Sequence, residues 1–306
     1  MLKNSLREFA LGLGCAVALG AALACTRPAP GSFATPEEAM QALADLAGTG
    51  DKQRAEEIFT PSGVDLLSSG DAADDREDAL EVKALILEKV AFEELYGSKI
   101  ALLGNDAWPF PIPLVPQEGR WRFDTEAGRE ELLNRRIGRN ELLALASLRA
   151  YVDAQHEYFA QGRDGHPPTY ARKFLSDEGA HDGLYWPAAD GEPESPIGPL
   201  LADADIEGRV ASAGPEPFNG YYFRILDAQG NDAPGGARRY VDAQGLMTGG
   251  FAAVAWPAKY GNSGIMTFLV SKHGVVFQKD LGPDSGTAVA AITTYDPDSS
   301  WNPTPD

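Results

Sequence analysis

From Thr35 onward, apolar residues recur at three- and four-residue spacing through Ala39, Met40, Leu43 and Leu46, which predicts a helix ending at Gly48. Thr35-Pro36-Glu37-Glu38 supplies its start: a side-chain oxygen to cap free backbone N–H groups, proline in the first turn, and acids at the positive end of the helix dipole. A second helical stretch through Glu56, Ile58 and Phe59 stops at Thr60-Pro61. The acidic run at residues 71–81 reads as a solvated loop opening a helix, because it lacks the glycine-turned spacing of a calcium loop. From Lys99 the period changes. Ile100 to Leu103, the Pro-interrupted run from Trp108 to Val115, and Arg120 to Phe123 across a Glu118-Gly119 turn predict strands, the prolines placing the middle one at a sheet edge.

Asp124-Thr125-Glu126 then opens a helix expected to break near Gly138 and resume from Asn140 to about Gln161, with Leu145, Leu148, Val152 and Phe159 as its apolar stripe. A long Gly- and Pro-rich passage to Pro217 reads as a structured insertion or binding loop. Strands follow at residues 221–226, 239–241, 250–256, 265–270 and 275–279, with Gly261-Asn262-Ser263-Gly264 and Lys272-His273-Gly274 as turns. The expected fold class is therefore α+β in two domains, each an antiparallel sheet packed against helices, over residues 33–126 and 127–296, with a tail at 297–306.

Composition adds limits. Hydrophobic residues at 43% suit a folded globular chain, and a formal net charge of −19 repels phosphate backbones and argues against nucleic acid as a partner. The N-terminus adds an address. Lys3 and Arg7 precede an apolar run at residues 9–24, too short to span a bilayer comfortably and suited to a signal peptide over residues 1–24. Ala22-Leu23-Ala24-Cys25 fits a cleavage site and is similar to a lipobox, with Leu23 one place later than usual. Cleavage leaves Cys25 as the lone thiol of an exported chain, which favours its lipidation over free secretion; residues 25–32 then form a short tether.

No catalytic residue, metal site or cofactor is expected. Ser263 lies in a turn instead of a G-x-S-x-G elbow, the histidines lack zinc spacing, and no phosphate-binding glycine loop occurs after the signal. Arg135, Arg136 and Arg139, with Asn140 and Glu141, form a dense polar cluster able to clamp an anion or a partner's carboxylate, or to tie helices to acidic neighbours. Trp186, Trp256, Tyr260 and Asn262 are the candidate binding residues of the loops, aromatics beside glycines being suited to contact surfaces. Trp108, Phe110, Trp121 and Phe123 form either a core or the lining of a pocket.

Three resemblances extend this. Helices followed by strands ending in Gly119-Arg-Trp-Arg-Phe123 resemble nuclear-transport-factor-like, cystatin-type domains. The order Leu145 to Tyr158, Gly220-Tyr-Tyr-Phe, Ala255-Trp-Pro257 and Gly264-Ile-Met-Thr-Phe268 resembles the soluble head of pilin and pseudopilin-like proteins, without their polymerising apolar helix. Phe33-Ala-Thr-Pro-Glu-Glu-Ala39, Trp108-Pro-Phe-Pro-Ile-Pro-Leu-Val115, Asn134-Arg-Arg-Ile-Gly-Arg-Asn-Glu-Leu142, Asp182-Gly-Leu-Tyr-Trp-Pro187 and Tyr260-Gly-Asn-Ser-Gly264 are similar to an exported bacterial family catalogued as domain of unknown function 2950, which implies export and two domains but no activity. The expected role is a non-catalytic binding or assembly module of the periplasm or outer membrane, held through a lipid anchor and contacting an envelope protein or polymer. The alternatives are an envelope hydrolase or carbohydrate-active enzyme with a cleft between the domains, where Arg136, Arg139, Asp182 and Lys279 would meet, or a small-ligand carrier using the aromatic pocket of the first domain.

Overall fold

The structure is a computed structural model that describes residues 30–61, 63–64, 72–162, 167–187, 195–197 and 217–305. The expected signal peptide, Cys25 and much of the Gly- and Pro-rich passage that ends at Pro217 lie outside the described residues. The chain divides between Thr125 and Glu126 into two compact units, each pairing helices with an antiparallel sheet in an α+β arrangement.

The first unit begins with α1 (Pro36–Leu46), capped as its sequence predicts. Glu38 N–H donates to Thr35 Oγ1 at 3.2 Å, while the Glu38 carboxylate reaches back to the Ala34 N–H at 2.9 Å. Helices α2 (Lys52–Phe59) and α3 (Ala72–Glu88) follow, α3 extending helix through most of the acidic run. The sheet holds β1 (Val90–Leu95), β2 (Ser98–Leu103), β3 (Trp108–Pro109), β4 (Leu114–Gln117) and β5 (Arg120–Phe123) in the order β1-β2-β4-β5, with β3 also on β2. Two findings differ from expectation. A strand, β1, precedes Lys99 because Tyr96 and Gly97 both take positive φ and close a two-residue hairpin. The proline-interrupted run is two short strands, since Pro109, Pro111 and Pro113 cannot donate to one continuous ladder. Phe123 sits in ring contact with Phe59 at 4.8 Å and with Phe33 and Phe110 at 6.1 Å, which makes Phe110 and Phe123 core, whereas Trp108 is 38% exposed.

The second unit is organised by α4 (Thr125–Gln161), 37 residues without interruption. The break expected at Gly138 is absent, because strong helix formers flank it and a single interior glycine costs only about 1 kcal/mol. A Cβ at position 138 would meet nothing within 4 Å. Gly138→Ala is therefore expected to raise stability by about 0.5–1 kcal/mol, read as a higher denaturant midpoint at unchanged slope.

Strands β6 (Tyr221–Leu226), β9 (Ala252–Pro257), β10 (Met266–Ser271), β11 (Val276–Asp280) and β12 (Asn302–Pro303) form an antiparallel meander, with the ribbon β7 (Ala228–Gln229) and β8 (Arg238–Arg239) between the first two. A short helix, α5 (Ser285–Ala290), precedes β12. Residues 297–306, expected as a tail, thus contribute an edge strand and a buried Trp301. The α4 stripe of Ala144, Leu148, Tyr151 and Val152 shares one core with the sheet's inner residues Tyr221, Ala253, Ala255, Phe268 and Val270. The register places Tyr222, Arg224, Trp256, Leu269 and Lys279 on the opposite, outer face.

Candidate functional site

The polar cluster of α4 and the Gly261–Gly264 turn, some 120 residues apart in sequence, meet in the second unit. Asn140 Nδ2 donates to the Ser263 carbonyl at 2.9 Å. Glu141 Oε1 accepts from the N–H groups of Ile265 and Met266 at 2.8 and 3.0 Å. The turn also closes on itself: Lys259 N–H donates to Ser263 Oγ at 2.9 Å, and Gly261 N–H to the Gly264 carbonyl at 2.9 Å. Gly261 takes a φ of +70°, a conformation open to glycine at little cost. Beneath the turn, the Tyr221 hydroxyl donates to the Met266 carbonyl at 3.0 Å. Burial, and then the nearby Glu141 charge, push the Tyr221 phenol well above its ordinary range.

This junction fixes what surrounds it. Arg135 is held by Glu131 at 2.7 Å along the helix. Arg136 and Arg139 are exposed, and Arg136 lies one helical turn before Asn140 on the same face. Tyr260 is half-buried and donates to Asp280 Oδ2 at 3.1 Å; partial desolvation and that bond raise its phenol. Asn262 is half-buried at the turn itself. Trp256 stands on the outer sheet face with the Tyr222 ring at 5.6 Å and the Arg224 guanidinium at 5.6 Å. Arg224 is committed to structure, donating to the carbonyls of Val289 and Ile292 at 2.8 and 2.6 Å.

Trp186 is placed differently from the expected exposed aromatic. It is 4% exposed, with the His181 ring at 4.6 Å, and belongs to the interior. Asp182 is bound by Lys173 at 2.6 Å and accepts from the Asp177 N–H. Those bonds hold its carboxyl below the usual carboxylate range. Lys279 bonds Ser300 instead. Asp182 and Lys279, grouped in the hydrolase alternative, are thus each engaged by a different neighbour. Sequence reasoning did not single out Arg224, whose bonds reach α5 and the chain just after it, or Trp301, whose ring faces Lys279 of β11. Among the described residues, no group of three or more His, Cys, Asp or Glu side chains is placed to hold a metal ion, and no helix is long and apolar enough to cross a membrane.

A family model described as protein of unknown function, DUF2950, matches residues 31–304. The chain belongs to that family. The match spans both units of this DUF2950 protein, and so includes the α4 cluster and the Gly261–Gly264 turn together. No curated protein and no solved structure matches it.

Proposed function

We propose that this DUF2950 protein is an exported envelope protein, anchored through a lipid on Cys25, and that it acts as a non-catalytic binding or assembly module. The observation carrying the binding role is the junction of α4 with the 258–265 turn. Asn140 and Glu141 spend their side chains on positioning that turn, while Arg136 and Arg139 stay exposed on the same helix and Tyr260 and Asn262 are half-buried in the turn it holds. Exposed guanidinium groups suit carboxylate-bearing partners, and a rigid presenting surface lowers the entropy cost of association. In a chain of formal charge −19, two exposed arginines on one helix face favour an acidic envelope protein or polymer as the partner.

The anchor has its own test. Cells fed an alkyne fatty acid are expected to label the wild-type protein, and Cys25→Ser is expected to lose both the label and membrane association. An unlabelled wild-type protein would refute anchoring. For the binding role, affinity capture from the native envelope is expected to recover a partner that Arg136→Ala with Arg139→Ala weakens at least tenfold, as arginine contact residues commonly do. Equal recovery with that variant would refute the junction as the binding surface.

A further inference from the structure

A second feature of the outer sheet face is built from residues other than those of the junction. A cleft of about 260 Å³ opens between β10, β11 and the chain that follows them, with Leu269, Lys279, Leu281, Ala288, Ile292 and Trp301 in its lining. At ~30 Å³ per water it has room for an organic molecule of about nine heavy atoms. Leu269, Leu281, Ala288 and Ile292 give it apolar walls.

Lys279 supplies the charge. Its Nζ donates to Ser300 Oγ at 2.7 Å and stands 5.8 Å from the centre of the Trp301 ring. An ammonium has three N–H donors, and among the described residues no carboxylate lies within ion-pair distance of this one. Asp298 balances it only at one remove, through the Ser300 hydroxyl, and that hydroxyl with the Ser300 N–H holds the Asp298 carboxyl below its usual range. The other acid in the lining, Asp296, is turned to the Asp232 N–H at 2.7 Å and seated against Gly230.

We propose that this cleft binds a small carboxylate with an apolar body, with Lys279 holding the carboxylate and Leu269, Leu281 and Ile292 covering the body. Asp298 and Asp296 are each engaged by other donors, so the remaining N–H groups of Lys279 are what the cleft offers to one carboxylate; a phosphate dianion would add a second negative charge beside those aspartates, and an amine would face the Lys279 ammonium directly. A neutral ligand would lose the charge-assisted hydrogen bond that gives the site its direction. None of these residues belongs to the α4 junction, so failure here leaves the partner-binding proposal untouched.

The full chain, in detergent and carrying ¹⁵N-labelled tryptophan, gives five indole signals, and Trp301→Phe identifies the one at the cleft. Hexanoate titrated to about 10 mM is expected to shift the Trp301 signal saturably, while hexanamide and hexylamine do not. Lys279→Met is expected to weaken hexanoate at least tenfold, and Lys279→Arg to retain it. Ala288→Leu, which narrows the apolar wall without touching the charge, is expected to weaken hexanoate as well. Norleucine separates the two sources of such a ligand: tighter binding than hexanoate assigns the cleft to amino acids, and weaker binding to simple carboxylic acids. Absence of a saturable shift, equal shifts with hexanamide, or wild-type affinity in Lys279→Met would overturn the proposal.

Discussion

Gly264→Ala is expected to destabilise the second unit by about 3 kcal/mol, combining overpacking with a lost hydrogen bond. A Cβ there would fall 2.1 Å from Tyr221 Oη and 2.6 and 2.7 Å from two ring carbons. That ring has nowhere convenient to go: Tyr221 is fully buried, packs on Phe268 at 5.8 Å and is pinned by its bond to the Met266 carbonyl. Tyr221→Phe removes the atom nearest the clash, so the double variant is expected to lose less than the sum of the two singles. Urea denaturation measures all three. A Gly264→Ala change below about 0.5 kcal/mol would show that the turn does not sit on the Tyr221 ring.

Glu141→Ala is expected to cost about 2–4 kcal/mol, since it strands two backbone N–H groups that now share one carboxylate oxygen. Glu141→Gln keeps an acceptor oxygen in place and is expected to lose only about 1 kcal/mol. The neighbouring Leu142, 68% exposed, is the control, with Leu142→Ala staying within about 0.5 kcal/mol. Hydrogen exchange gives the local signature: the Ile265 and Met266 amides are expected to exchange faster in Glu141→Ala than in Leu142→Ala. Unchanged exchange at both amides would contradict the tie between helix and turn.

These two expectations rest on contacts that local pattern does not encode. The cap at Thr35 was legible because every group involved lies within four residues. Strands β6, β9, β10 and β11 were legible to within about two residues because alternation and glycine turns punctuate them, whereas the two residues of β7 carry no such signal. Strand β1 was not, since Glu93 and Glu94 prolong the acidic helical look of α3 and only the Tyr96-Gly97 hairpin turns the chain back. Gly138 was overweighted as a helix breaker, a local penalty that helix continuation on both sides easily outweighs. Trp301 lies in what looked like a tail, and its burial depends on β12 joining β11.

The candidate residues divide along the same line. Arg136, Arg139, Tyr260 and Asn262 were recognisable by type, but the tie between the helix of the first two and the turn of the last two depends on Asn140 and Glu141 reaching more than 120 residues along the chain. Trp186 shows the reverse: its residue type was legible and its burial was not, because the partners that cover it, His181 among them, are set by the fold of an irregular segment. Lys279 was visible as a cation, while the apolar walls around it come from β10, from α5 and from the residues on either side of α5.

The central claim is that the α4 junction is a contact surface in the envelope, and a photo-crosslinking residue placed at Asn262 of the full-length protein in its native cells tests it most directly. The expected result is a discrete adduct at position 262 that Arg136→Ala with Arg139→Ala largely removes, with none from the same probe at Glu118 in the β4–β5 turn. No adduct at position 262, or one that persists in the arginine variant and appears equally at position 118, would contradict the account.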